Sequence, residues 1–269
     1  MAKVDAVFAG SIPALYDKYL GPLIFEFYAD DMARRLSGLK GGRVLEIAAG
    51  TGIVTSALMK TLPPAVSLVA TDLNQGMLDV AKLKDTASRV SWQQADAQAL
   101  PFPDAAFDAV VCQFGVMFFP DKPKAYGEAR RVLKPGGRYL FNVWDSIAHN
   151  EVTDLVTSAV AELFPNDPPQ FLARTPHGYH DKDAITAALR DAGFVDIAIE
   201  TIASRSRAAT AVDAVMGFVQ GSPLRSEIEA RDAKRLAEAT AAAAAKVTAR
   251  FGSEPIDGKI QAHVVTARA

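Results

Sequence analysis

The sequence predicts an α/β fold with a doubly wound, mostly parallel sheet and helices on both faces. Three observations predict it. Short apolar runs and helix-like segments alternate from about residue 43 to residue 144. The first apolar run, Val44, Leu45 and Ile47, passes through Gly50-Thr51-Gly52 into a segment with helix composition. Over 269 residues the chain is 49% hydrophobic and 22% charged, which suits one large globular domain with ample core.

The elements follow in order. Residues 11–37 have a helical pattern with an expected break at Gly21-Pro22. A strand at about 43–48 leads to a helix at 53–62, which Pro63-Pro64 stops. A second strand, about 66–71, ends at Thr71-Asp72, and a helix at about 75–84 follows with Asn74 as its expected N-cap. A third strand is expected at 89–94 and a fourth at 107–112, Phe-Asp-Ala-Val-Val-Cys. A helix at 122–133 runs to Lys134-Pro135-Gly136-Gly137, read as a turn, before a fifth strand at 138–144. Strand–helix alternation of this kind implies a parallel sheet buried on both faces.

After Trp144 the rhythm changes. Residues 150–164 read as a helix, 165–180 as a proline-containing loop, and 182–192 as a helix with Asp181 at its N-cap and Gly193 at its end. Residues 194–202 read as a strand, 211–250 as helix interrupted at Gly221-Ser222-Pro223, and 259–267 as a closing strand. The alanine-rich stretch 236–250 has strong helix propensity and suits a close neighbour.

Several function classes are disfavoured. The formal net charge is −2, the pI is about 6.1, and no Lys/Arg run suits a phosphate backbone, so no nucleic-acid partner is expected. No stretch approaches a membrane span, no Cys/His spacing suggests a metal, and no Gly-x-Ser-x-Gly elbow supports a hydrolase triad. Cys112 is the single cysteine and sits in an apolar strand; Met1-Ala2-Lys3-Val4-Asp5 lacks the order of a signal peptide. A cytoplasmic protein is the expectation, and the oligomeric state is not readable.

Chemistry concentrates at the strand ends. In a doubly wound sheet, ligands bind at the carboxyl ends of the strands. The first strand delivers Glu46 with Gly50 and Gly52, whose backbone lets a ligand approach the helix N-terminus closely. A dinucleotide turn needs a third glycine, yet Gly50-x-Gly52-x-x reaches Thr55, and an acid beside the turn repels a pyrophosphate. A ligand carrying an ammonium and a sulfonium, such as S-adenosylmethionine, welcomes Glu46. The second strand delivers Asp72, whose carboxylate can accept from a ribose diol, followed by the apolar Leu73 and Met77, suited to an adenine face. The third delivers Asp96 and Ala97, and the fourth Gln113, Phe114 and Gly115. Asp108, Phe102 and Phe107 read as structural.

On these segments the chain resembles the class I S-adenosylmethionine-dependent methyltransferases that act on small molecules. The matching stretches are Val44–Gly52, Ala70–Met77, Gln94–Asp108 with Leu-Pro-Phe-Pro-Asp-x-x-Phe-Asp, and Arg131–Gly137 with Val-Leu-Lys-Pro-Gly-Gly. The resemblance implies a Rossmann-like, seven-stranded sheet in the order 3-2-1-4-5-7-6 with strand 7 antiparallel. It implies that Gly50 and Gly52 line the methionine part, that Glu46 is linked to its amino end, that Asp72 holds the ribose, and that Asp96 with Ala97 meets the adenine. The expected organisation is one domain, 1–269: an N-terminal helical cover at 1–40, a cofactor-binding core at 41–145, helical cap regions at 146–193 and 204–258, and closing strands at 194–203 and 259–269. The expected reaction is in-line methyl transfer to a small organic acceptor, releasing S-adenosyl-L-homocysteine. Because a sulfonium is already a good leaving group, alignment carries most of the catalysis and no signature base is required. Tyr16, Tyr19 and His180 are candidates for the transfer step, with His149 and His177 as further candidate bases; Asn142 and Asp145 are candidates for bordering the acceptor. The alternatives are a nicotinamide-dependent oxidoreductase and a non-catalytic S-adenosylmethionine-binding protein.

Overall fold

The computed structural model describes residues 8, 10–84, 89–252 and 255–269; the N-terminal pentapeptide read against a signal peptide lies outside them. In chain order the elements are α1 (Ile12–Leu15), a π-helix (Tyr16–Phe25), α2 (Glu26–Leu36), β1 (Gly42–Ile47), α3 (Ile53–Thr61), β2 (Val66–Asp72), α4 (Gln75–Lys82), β3 (Val90–Gln94) and β4 (Phe107–Gln113). Then come α5 (Lys122–Val132), β5 (Leu133–Trp144), α6 (Glu151–Leu163), α7 (Phe171–Arg174), α8 (Lys182–Asp191), β6 (Val195–Ala208), α9 (Ala211–Gln220), α10 (Leu224–Asp232), α11 (Leu236–Phe251) and β7 (Ile256–Arg268).

The sheet has seven strands in the order β3-β2-β1-β4-β5-β7-β6. Strands β3, β2, β1, β4 and β5 pair in parallel. Strand β7 runs antiparallel to them: Gly136 N–H donates to Ala269 O at 3.0 Å, whereas Asp145 N–H donates to Gln261 O at 3.0 Å, so β5 and β7 lie side by side in opposite directions. Fold class and strand order are those the sequence implied.

The chain divides into two compact units, residues 1–27, 144–179 and 203–262 in one, and 28–143, 180–202 and 263–269 in the other. The second unit holds β1–β4 and parts of β5, β6 and β7. On one face of its sheet, Met32, Ala33 and Leu36 of α2 and Val54 and Leu58 of α3 pack with Val44, Val111 and Leu140. On the other, Tyr139 meets Tyr126 of α5 at 6.1 Å and Phe194 at 5.5 Å between ring centroids. Neighbouring residues Tyr139 and Leu140 serve opposite faces because side chains alternate along a strand, and covering both faces is what a parallel sheet requires. In the first unit, α11 packs on α6 and α9, with Ala239, Ala243 and Val247 buried. Small alanines allow that approach, as the composition of this stretch anticipated.

Three local expectations are corrected. Gly21-Pro22 does not break the N-terminal helix: a π-helix spans it, with Pro22 inside and the Glu26 N–H donating to Gly21 O, because the wider i→i+5 ladder changes which donors are needed. Lys134-Pro135-Gly136-Gly137 is part of β5 instead of a separate turn; Leu133 pairs with Phe107 and Arg138 with Ala109, so the extra residues form an irregularity in the strand. Gly136 keeps the positive φ of +76° that the turn reading required. Asn74 sits at the start of α4, but its side chain makes no cap.

Candidate functional site

The turn after β1 is unusual in its backbone. Ala48, Gly50 and Gly52 have φ of 54°, 56° and 78°, the left-handed region that costs a residue with a side chain energy. Ala48 bears that cost immediately after the strand, within the second unit. The turn is held by its neighbours: Ala49 N–H donates to Thr71 O at 2.9 Å and Gly52 N–H to Ala49 O at 3.0 Å. A Cβ on Gly50 would meet Met77 Cε at an ordinary 3.6 Å, so it is the positive φ that calls for glycine there.

Asp72 organises this turn from the end of β2. Its Oδ2 accepts from Gly50 N–H at 2.8 Å, and its Oδ1 accepts from Asn74 N–H at 2.8 Å and Asn74 Nδ2 at 3.4 Å. Asn74 therefore serves the acid in place of capping α4. Burial raises the Asp72 pKa, with the hydrogen bonds from Asn74 and Gly50 opposing it. A carboxylate has about four lone-pair directions, so these bonds leave acceptor capacity for a diol.

Glu46 is 1% exposed, and its Oε2 accepts from Thr55 Oγ1 at 2.6 Å. Burial pushes its pKa up to about 8; the Thr55 hydrogen bonds pull it down, and the Asp72 charge adds to the rise. At neutral pH the unliganded carboxyl thus mostly keeps its proton, and an arriving cation would favour its ionised form. Thr55 is the residue that stands where a dinucleotide turn has its third glycine. Sequence reasoning registered only the missing glycine; the polar residue nine positions after a buried strand acid was the signal that could have found its partner. Thr51 was also passed over: its Oγ1 is buried without a hydrogen-bond partner among the described residues.

The next strand ends join the same unit. Gln113 ends β4, half-buried, opposite Asn142 in register. Asn142 Oδ1 accepts from Phe114 N–H at 2.9 Å, and Phe114 has φ of 50°. A Cβ on Gly115 would stand 2.6 Å from Ala48 Cβ and 2.7 Å from Cys112 Sγ, so only glycine lets the ends of β1 and β4 approach this closely. Asp96 closes a turn, its Oδ1 accepting from Gln98 N–H at 2.8 Å, with Ala97 buried beside it. Leu73 is 51% exposed whereas Met77 is 4% exposed, so the two apolar residues expected on one adenine face differ sharply in burial. Asp108 is structural, as expected: both its oxygens accept from Lys134 Nζ at 2.9 Å, and Arg43 N–H donates to it at 2.8 Å.

The remaining candidates are distributed between the units. His180 is exposed in the second unit, next to Asp181, which caps α8 by accepting from Asp183 and Ala184 N–H. Tyr16 and Tyr19 belong to the first unit. Tyr16 stacks on Phe25 at 5.0 Å, and the Lys18 ammonium lies 4.7 Å from the Tyr19 ring centroid. They sit in the π-helix, whose wider turn spreads i and i+3 positions apart. The first unit also holds His177, whose Nδ1 lies 2.8 Å from Asp145 O, and His149, 3.4 Å from the Asp145 carboxylate.

Two buried acids, a strained glycine turn and an unpartnered buried hydroxyl suit a ligand with a cationic end and a diol. Comparisons with known proteins point the same way. A family model described as "Methyltransferase domain" matches residues 45–141. The chain is 33% identical over 175 residues, 60% of its length and 70% of the relative's, to the ubiquinone/menaquinone biosynthesis C-methyltransferase UbiE of Escherichia coli. Among solved structures it resembles the YcgJ protein of Bacillus subtilis, with a TM-score of 0.58, 20% identity and coverage of 90% of this chain and 98% of that one. It also resembles phosphoethanolamine N-methyltransferase 2 of Haemonchus contortus in complex with S-adenosylhomocysteine, with a TM-score of 0.59, 17% identity and coverage of 95% and 57%. These matches lend no support to the nicotinamide-dependent or the non-catalytic alternative.

Proposed function

This chain belongs to the class I S-adenosylmethionine-dependent methyltransferases, and we propose that it methylates an electron-rich carbon of a small organic acceptor with Glu46, Asp72 and the Gly50–Gly52 turn holding the cofactor. Methyl transfer from S-adenosylmethionine to a small molecule is its reaction. When bound, the cofactor supplies a methyl group on a sulfonium, and S-adenosylhomocysteine is the product.

One observation carries the assignment of residues: Asp72 accepts from Gly50 N–H at 2.8 Å, so the acid and the glycine turn form one preorganised unit. In this reading Asp72 orients the ribose diol, and Glu46, held by Thr55, meets the cationic amino-acid end. Leu73 and Met77 flank the adenine, Asp96 and Ala97 meet its edge, and Gln113 closes the fourth side. Tyr16, which stacks on Phe25, and Tyr19, whose ring carries Lys18, are aromatic candidates for the transfer step, and His180 is the candidate base where the acceptor must lose a proton. Residues 1–40, 146–193 and 204–258 carry acceptor specificity. Calorimetric titration with S-adenosylmethionine, S-adenosylhomocysteine and NAD tests the cofactor assignment: micromolar binding of the first two and none of NAD is expected, and binding of NAD alone would overturn it.

The carbon acceptor is supported by the similarity to UbiE of Escherichia coli, a ubiquinone/menaquinone biosynthesis C-methyltransferase. Incubation with phenolic and quinol acceptors and methyl-labelled cofactor tests it: the label appears on ring carbon, and label on oxygen or nitrogen alone would sink the reading. Nucleic acid is not a proposed partner, given the net charge of −2. No described helix is long and apolar enough to cross a membrane. A cytoplasmic site of action is proposed, supported by the buried free thiol of Cys112, and is tested by cell fractionation.

A further inference from the structure

Near the carboxyl end of β5 stands a hydrogen-bond donor that the cofactor site does not use. Asn142 is fully buried and lies beside Gln113 in register. Its Oδ1 accepts from Phe114 N–H at 2.9 Å, and the same N–H approaches Asn142 O at 3.2 Å. Reversing the amide would set two N–H donors against each other, so this bond fixes which end is which. Phe114 has φ of 50°, so the amide also holds a strained residue in place. The other end, Nδ2, is buried with no hydrogen-bond partner among the described residues. An unmatched buried donor is costly, and an oxygen that arrives with a ligand removes the cost. Glu46 and Asp72 are buried as well, so the polar groups at these strand ends are withdrawn from water together.

The order of the strands indicates what that oxygen belongs to, given the cofactor placement proposed above. In that placement the adenine, the ribose and the amino-acid end take the ends of β3, β2 and β1. In the sheet β4 follows β1 and β5 follows β4. Asn142 therefore stands beyond β4 from those groups, two strand spacings or roughly 10 Å from β1, on the side left to the acceptor. With Oδ1 engaged, the amide offers the acceptor a neutral donor and nothing else. An oxygen matches it, whereas an ammonium or an N–H does not. We propose that Asn142 Nδ2 donates to an oxygen conjugated with the carbon to be methylated, so that the acceptor is a phenol or enol held by its oxygen. Such a bond engages a lone pair that would otherwise compete for the methyl group, and it stabilises negative charge on the oxygen. In the transfer, the oxygen's electron pair moves into the conjugated system and the carbon forms the C–CH3 bond. The S–CH3 bond breaks with its pair on sulfur, and the carbon's proton leaves to water, which returns the oxygen to its starting form.

The test is calorimetric titration of the full chain, saturated with S-adenosylhomocysteine, with 1-naphthol and with 1-naphthylamine. The two probes match in shape and differ in the oxygen. The parent is expected to bind 1-naphthol roughly tenfold more tightly than 1-naphthylamine. Asn142→Leu removes the donor, and Asn142→Asp removes the amide N–H while keeping an oxygen for Phe114 N–H. Both should erase the preference, and Asn142→Asp should keep the parent's affinity for S-adenosylhomocysteine. A parent without the preference, or with no saturable binding of 1-naphthol, would overturn the inference, as would variants that keep the preference. Loss of S-adenosylhomocysteine binding in both variants would overturn it too, by making Asn142 a support of the cofactor turn. Failure of the parent to bind S-adenosylhomocysteine would count against the cofactor assignment instead, and the preference for 1-naphthol is then read in the unliganded chain.

Discussion

Glu46 turns burial into a pH response. Its pKa is held at about 8 against an ordinary value of 4.5, by desolvation above all. A carboxyl raised in this way stabilises the unliganded fold fully below its unfolded pKa, and that contribution is lost as pH rises through about 8. A bound cation favours the ionised form. Affinity for S-adenosylmethionine should therefore climb between about pH 6 and pH 8 and level off above, and Glu46→Gln should flatten most of that climb; a slope equal to the parent's would refute the role. Asp72→Ala removes a buried acceptor of three hydrogen bonds, two from backbone N–H groups. The expected loss is about 1.5–3 kcal/mol, roughly ten- to hundredfold in Kd for the cofactor, read by calorimetry. At Gly115 the matter is space: a Cβ at 2.6 Å from Ala48 Cβ forces the ends of β1 and β4 apart. Gly115→Ala should cost about 1–3 kcal/mol in urea unfolding and weaken cofactor binding; a parental midpoint would show that these ends yield easily.

Among the elements, periodicity and punctuation were most reliable where local and tertiary preferences agree. Strands β1 and β4 were visible as apolar runs, and α8 as a helix between Asp181 and Gly193. They failed where neighbours change the meaning of a local signal. Pro22 breaks an α-helix locally, but packing in the first unit is compatible with a π-helix. Likewise Lys-Pro-Gly-Gly reads as a turn, yet pairing of Leu133 with Phe107 keeps it within β5. Helix α11 is a case of agreement: its propensity is high and its alanines meet α6 and α9. Ala243 is fully buried, so Ala243→Leu overpacks the contact and should lower stability by about 1–3 kcal/mol, measured by denaturant titration. A neutral result would mean that the helices can separate without loss.

At the scale of the whole molecule, cofactor binding and folding are linked. A ligand held by the folded chain alone stabilises it by mass action, about 2.7 kcal/mol at a concentration one hundred times its Kd. S-adenosylhomocysteine should therefore raise the melting temperature in scanning calorimetry, and NAD at equal concentration should not. Asp72→Ala at the same ligand concentration should lose most of that rise. A rise with NAD alone would contradict the family's cofactor in this chain.

The order of strands and helices, the glycine turn and the acids at the ends of β1 and β2 were written in the sequence, because hydrophobic period, glycine and a misplaced charge are local properties that survive in one dimension. The partnership of Thr55 with Glu46, the tie between Asp72 and Gly50, and the strain at Ala48 and Phe114 were decided by tertiary structure. Each joins residues that are separate along the chain or sets a backbone angle against its own preference, and such contacts exist only once the sheet brings the strand ends together. The raised pKa of Glu46 belongs to the same class: its sequence neighbours identify an acid in a strand, but desolvation depends on what packs around it.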